Sequence, residues 1–321
     1  MHKPLALLCT IMLLSSCNKD SHSIPHQTPS QSTPSAMTHT PEFDGNQAFT
    51  YLTAQTNCGP RNPNSAGHEK CLQYLATTLD GLAAKVTRQE FTVKGYDGEV
   101  LKLTNIFASF NPDDTARILF LAHWDTRPRA DEEKDVALQD RPIPGANDGA
   151  SGVAILLELA AMMKKNPPPI GVDLLLVDGE DYGTKHDLDN YFLGSKHFME
   201  VKPASYKPRF AILLDMVGYR DLRIPMEQNS MQMAPAVVEL LWSTAERVGV
   251  TQFVNIPGDQ ISDDHLALNK GGIPTADVID FQYPYWHTLK DTPDKCSAES
   301  LEAVGTVLAH VIYESSLHRA Q

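Results

Sequence analysis

A chain of 321 residues, 42% hydrophobic and 21% charged, carries enough apolar material for a full core, as one large α/β domain or two smaller ones. The formal net charge of −13 argues against a nucleic-acid binder, because phosphate contacts need clustered lysine and arginine. The chain opens with His2 and Lys3, then the apolar run PLALLCTIMLL, then SSC. That run is too short to span a bilayer stably, and residues 1–17 read as an export signal.

The LSSC at residues 14–17 resembles a bacterial lipobox, in which the cysteine is lipidated and becomes the new N-terminus. This resemblance implies a lipid anchor at Cys17, holding the protein in the bacterial cell envelope. Asn18 in place of aspartate then fits the periplasmic face of the outer membrane. Residues 18–40 carry only Ile24 and Met37 as large apolar side chains, too few to offset the entropy of ordering, and read as a tether. Its histidines, His22, His26 and His39, read as solvated linker residues.

From residue 41 to 321 the pattern continues without a linker, as in one catalytic domain. AFTYLTAQ and AGHEKCLQYLATTLDGLAA have helical apolar spacing. KVTRQEFTV and LTNIFASF alternate as half-buried strands do, with GYDG as the turn between them. ARILFLAH, GVDLLLVD and RFAILLDM are short continuous apolar runs, expected of central strands covered on both faces. Helices are predicted at GASGVAILLELAAMMKK, APAVVELLWSTAERVG and SAESLEAVGTVLAHVIYESSL. Strands alternating with helices predict a largely parallel or mixed sheet with helices on both faces.

Ligands of open α/β sheets bind beyond the carboxyl ends of the strands, and the chemistry-capable residues fall there. HWDTRP puts His123 and Asp125 at one strand tip, GED puts Glu180 and Asp181 at the next, and Asp215 ends a third. Asp148 precedes the apolar helix, SDDH supplies Asp263, Asp264 and His265, and YWH supplies His287. Taken singly, Asp148 and Asp263 read as helix caps, the Glu180–Asp181 pair as solvated carboxylates and His123 as a core-edge histidine. Independent capping and solvation do not predict acids and histidines at successive strand ends. Oxygen and imidazole donors of this kind suit zinc. Apart from Cys9 in the signal and Cys17, the chain has Cys58, Cys71 and Cys296; the first two are candidates for a disulfide, and no Cys-x-x-Cys pair supports a structural zinc cluster.

HWDTRP, GANDGASG, LLLVDGEDYG, FLGSKHF, LLDMVG, SDDHLAL and YWHTLKD, in that order, resemble the zinc-dependent glutaminyl-peptide cyclotransferases, relatives of the zinc aminopeptidases. The likeness spans roughly residues 55 to 315 and implies a three-layer α/β/α sandwich with a mixed, mostly parallel central sheet, and conversion of N-terminal glutamine of peptides or proteins to pyroglutamate with release of ammonia. It implies one zinc per chain on Asp148, Asp181 and His287, Glu180 as general base and acid, an Asp215–Asp263 acidic pair, and Trp286 as a substrate wall. Animal members have two consecutive glutamates where this chain has Glu180-Asp181; zinc accepts either carboxylate at about 2.0–2.2 Å. The further pocket aromatic has three candidates, Tyr182, Tyr191 and Phe192. A two-zinc aminopeptidase is the alternative, with His123 and Asp215 as ligands of the second metal and Asp148 bridging. A tethered scaffold that lost catalysis conflicts with the complete set Asp148, Glu180, Asp181 and His287.

Overall fold

The computed structural model describes residues 40–185 and 187–314. The export signal, the Cys17 anchor and residues 18–39 of the tether lie outside the described residues. The first helix, α1 (Gly45–Thr56), starts at Asp44, whose carboxylate accepts the Gln47 N–H; α2 (Ala66–Leu82) starts at Ser65, whose hydroxyl accepts the His68 N–H. Both caps satisfy a backbone donor that the first helical turn leaves free. Strands β1 (Lys85–Lys94) and β2 (Val100–Phe110) form an antiparallel hairpin through the GYDG turn, where Gly98 takes a φ of +89°.

There follow β3 (Arg117–His123), α3 (Ala150–Lys165), β4 (Gly171–Val177), α4 (Leu193–Val201) and β5 (Ala211–Asp215). The remainder comprises β6 (Ile224–Met226), α5 (Gln228–Met233), α6 (Pro235–Val248), β7 (Phe253–Pro257), α7 (His265–Lys270), β8 (Thr275–Ile279) and α8 (Ala298–Tyr313). The main sheet has the order β1-β2-β4-β3-β5-β8. Its β1–β2 and β2–β4 pairs are antiparallel, and β4–β3, β3–β5 and β5–β8 are parallel.

Because side chains alternate across a strand, each central strand feeds two cores. Ile118, Phe120, Leu174, Leu176, Ile212 and Leu214 join Leu52 of α1, Val153 of α3 and Leu308 of α8 on one face. Leu119, Leu121, Leu175, Val177 and Leu213 join Phe198 of α4 and Leu268 of α7 on the other. The expected layers are therefore present, with the mostly parallel sheet between them. Five short elements, α4, α5, β8 and the parallel β6–β7 pair, were not among the predicted ones. The last is held by few pairings and contains Pro225, which cannot donate to a ladder. Among the described residues no helix is long and apolar enough to cross a membrane. Cys58, Cys71 and Cys296 all carry free thiols.

Candidate active site

The parallel strands end on one side of the sheet, and this topology gathers the polar residues. His123 is the last residue of β3, Asp215 the last of β5, and Glu180 and Asp181 follow β4 directly. Asp148, Glu180, Asp181, Asp215, Asp263, Trp286 and His287 all line one pocket of about 280 Å³. Of the three candidate aromatics, Tyr191 and Phe192 line it as well. Tyr182 turns away and packs with Leu101, Leu103 and Leu193.

Ligand-capable atoms of Asp148, Asp181 and His287 lie within 4.8 Å of one another. His287 Nε2 stands 3.2 Å from Asp181 Oδ1 and 3.6 Å from Asp148 Oδ2, and its Nδ1 faces Asp131 at 3.4 Å. The second oxygen of Asp181 is buried and has no hydrogen-bond partner. An orphaned carboxylate oxygen beside a second buried carboxylate and an imidazole matches the donor set zinc takes. A second cluster shares Asp148: atoms of His123, Asp148 and Asp215 also lie within 4.8 Å of one another. His123 Nε2 is 3.2 Å from Asp148 Oδ1 and 3.1 Å from Asp215 Oδ1. Both ligand sets read from the sequence thus converge in space.

Neither capping interpretation describes these acids. The cap position of α3 is Gly149, with a φ of +92° and no side-chain cap. A Cβ there would stand 2.6 Å from the Asp125 carbonyl oxygen, so glycine is what lets the Asp148 turn press against the β3 tip. The cap position of α7 is Asp264, again without a side-chain cap bond, while Asp263 lines the pocket.

Residues without a role in the sequence reading hold this arrangement. The Asp125 carboxylate accepts the N–H groups of Glu180 (3.1 Å) and Asp181 (3.3 Å). The Asp291 carboxylate accepts those of Asn147 (2.8 Å) and Asp148 (3.1 Å), plus the Tyr283 hydroxyl (2.7 Å). Arg127, fully buried, donates to the backbone oxygen (2.9 Å) and carboxylate (3.0 Å) of Asp181 and, through Nε and Nη2, to both oxygens of Asp131. Their sequence signal was faint: Asp125 and Arg127 belong to HWDTRP and Asp291 closes YWHTLKD.

Charge follows from burial and neighbours. Burial and the Asp181 charge push the Glu180 carboxyl well above the usual range, and burial with Asp215 does the same to Asp263. Burial opposes the charge on His287, but Asp181, Asp131 and Asp148 outweigh it and lift its pKa to about 9. Burial works against the Asp181 charge too, yet His287 and Arg127 hold its pKa below the ordinary value. A dication in this cluster would draw the carboxyls down and displace the His287 proton.

Backbone strain is concentrated here. The positive-φ non-glycine residues among the described residues are Asn64, Asn111, Phe192 (+58°), Met216 (+47°) and His287 (+53°). The last three line the pocket, and strained backbone of this kind persists where surrounding packing over-determines it. Trp286 stacks on His287 with ring centroids 3.9 Å apart and leans on Phe281 at 5.2 Å. Asp131→Asn is expected to weaken zinc binding by about 10–100-fold, because a metal-bound histidine depends on the acceptor at its other nitrogen. Competition titration with a chromogenic chelator would measure the change, and unchanged affinity would deny Asp131 this role.

The sequence profile of peptidase family M28 matches residues 105–312. The chain belongs to peptidase family M28. This M28 chain is 40% identical to a glutaminyl cyclase from Bacteroides thetaiotaomicron crystallised with N-acetylhistamine, covering 86% of this chain and 100% of that one with a TM-score of 0.84. It is also 40% identical to a leucine aminopeptidase precursor from the same species, over 87% and 99% of the two chains, with a TM-score of 0.85. The mouse glutaminyl-peptide cyclotransferase-like protein is 26% identical over 79% of this chain and 72% of its own length. The fold is thus that of the zinc aminopeptidases and glutaminyl cyclases, and zinc dependence is implied by the family.

Proposed function

We propose that this M28 enzyme is a glutaminyl-peptide cyclotransferase, converting the N-terminal glutamine of peptides or proteins to pyroglutamate with release of ammonia. Asp148, Asp181 and His287 hold its single zinc. One observation carries the reading. The metal cluster opens onto a pocket walled by Trp286, Phe281, Tyr191 and Phe192, which also contains Glu180 and Asp263, carboxyls in neither ligand cluster. An aromatic slot suits the aliphatic stem of one side chain, and the spare carboxyls suit proton transfer rather than metal binding.

Zinc at the Asp148–Asp181–His287 cluster supplies a Lewis acid for the γ-amide carbonyl of the glutamine. The attacking group is the substrate's own α-amine, whose reference pKa of about 7.7–8.0 leaves it partly protonated at neutral pH. Glu180, on the pocket wall, accepts a proton from that amine and delivers it to the departing nitrogen. Burial and the Asp215 charge favour the protonated form of Asp263, which can donate a hydrogen bond to the same nitrogen. Trp286 and its aromatic neighbours hold the side chain so that the intramolecular attack starts near its reactive geometry. Trp286→Ala should raise KM by about 10–100-fold, the equivalent of 1.4–3 kcal/mol of lost contact, and lower kcat less. Steady-state kinetics on a glutamine-initiated dipeptide would show the split, and an unchanged KM would remove Trp286 from the pocket wall.

A specific observation favours the second reading, a two-zinc aminopeptidase: His123, Asp148 and Asp215 form a complete second donor cluster. Incubating the protein with the same dipeptide, measuring ammonia, product mass and bound zinc together, separates the two. Ammonia with an intact peptide bond and about one zinc supports the cyclase; peptide-bond cleavage with about two zincs overturns it. The lipobox-like LSSC places the enzyme, in this proposal, on the periplasmic face of the bacterial outer membrane through lipid on Cys17.

A further inference from the structure

Away from the pocket, two cysteines lie on segments packed against each other. Cys58 sits half-buried in the turn after α1, and Cys71 is buried on the second turn of α2. Gly67 lies four residues before Cys71, on the same face of α2. A Cβ at Gly67 would stand 2.1 Å from the Pro60 carbonyl oxygen and 3.1 Å from that of Cys58. The helix therefore runs tight against the Cys58–Pro60 turn, one helical turn before Cys71. Cys58 packs against the same buried apolar cluster that contains Cys71. Cys58 Sγ also lies 3.5 Å from the Ala54 carbonyl oxygen. The neighbouring Cys71 thiol, with Lys70 and Arg61 nearby, lowers the Cys58 pKa to about 7 against the effect of burial, while Cys71 is pushed up. The more accessible thiol is thus the readily ionised one, and the buried thiol is its resolving neighbour.

We propose that Cys58 and Cys71 are built to close into a disulfide that ties the turn after α1 to α2. A small disulfide oxidant such as oxidised glutathione completes the chemistry. The Cys58 thiolate attacks one glutathione sulfur and expels glutathione thiolate. Cys71 then loses its proton, attacks the Cys58 sulfur of the mixed disulfide and expels the second glutathione. The protein gives up two thiol protons and two electrons, and the oxidant leaves as two thiols.

The segment so closed contains Arg61, which is fully buried. Its N–H donates to Thr126 Oγ1 (2.8 Å), and its guanidinium to the carbonyls of Trp124 (3.0 Å), Pro144 (3.0 Å) and Gly145 (2.5 Å). Those acceptors belong to the two loops that carry Asp125 and Asp148. The bond would clamp the base of both loops, chiefly by restricting the unfolded chain. Cys296 is no competitor, since it packs beside Gly218 elsewhere.

The test uses the full chain incubated with oxidised glutathione, alkylated under denaturing conditions and digested with trypsin without reduction. Arg61 and Lys70 separate the two cysteines, so the disulfide appears as a linked pair of peptides that reduction releases. The expected result is that linked pair, with a melting temperature several degrees above that of the reduced protein. Both features should vanish in Cys58→Ser, and Cys71→Ala should trap glutathione on Cys58. Stable glutathione on Cys58 with Cys71 still alkylated, or both thiols alkylated, overturns the proposal. A linked pair without a melting shift overturns the clamp. None of these readouts depends on the reaction catalysed.

Discussion

Glu180→Gln should lower ammonia release by about 10²–10⁴-fold, the range a positioned proton-transfer group contributes, while zinc content and melting temperature stay unchanged. The expectation rests on what the substitution preserves. Glutamine has nearly the same volume and keeps the pocket wall intact. The backbone of residue 180 stays tied to Asp125 through its N–H. Glu180 belongs to neither metal cluster, and its Oε2 stands 3.9 Å from His123 Nδ1, beyond hydrogen-bond reach. What the amide cannot do is accept a proton from the α-amine and return it to the leaving nitrogen. Rates, metal content and melting curves from one preparation make the outcome unambiguous. Turnover that survives would take the proton shuttle away from Glu180; zinc lost together with turnover would make it a ligand.

The elements that could be read from the sequence are those whose environment is uniform along the chain. ARILFLAH, GVDLLLVD and RFAILLDM are buried on both faces, so their continuous apolar runs are local signatures of central strands. The five-residue β8 is just as buried, yet TADVI carries Asp277 and lies close to the polar site segments, so no comparable run marked it. The positions of the site residues were legible because parallel strands bring their carboxyl ends together, which turns strand order into spatial proximity. The supporting residues were not. Asp125 and Asp291 look like loop carboxylates until the N–H groups they accept, 55 and 144 residues away, are brought to them. Tyr182 and Tyr191 were equivalent on paper for the same reason. Only the path of the loop after β4 decides that Tyr191 faces the pocket and Tyr182 the β1–β2 hairpin.

His287→Ala separates the one-metal and two-metal readings most sharply, because the clusters share Asp148 and differ in their histidine. With one zinc, losing His287 leaves only Asp148 and Asp181 in that cluster, short of the three protein ligands typical of catalytic zinc. Metal should then fall from about one per chain to none, and turnover by about a thousandfold as several kcal/mol of Lewis-acid stabilisation disappear. With two zincs, His123, Asp148 and Asp215 would keep one of them, and metal would fall from about two to about one. His123 is itself poised between these roles. Its Nε2 sits within 3.2 Å of Asp148 and Asp215; burial opposes its charge, but Asp125, Asp148 and Asp215 outweigh burial and favour the protonated form. A protonated imidazole cannot ligate, so a single zinc in the other cluster leaves His123 paired with Asp148 and Asp215 rather than bound to metal. A second zinc must displace that proton. Counting metal in His287→Ala therefore also reports the state of His123: none bound means a salt bridge, and one bound means a ligand.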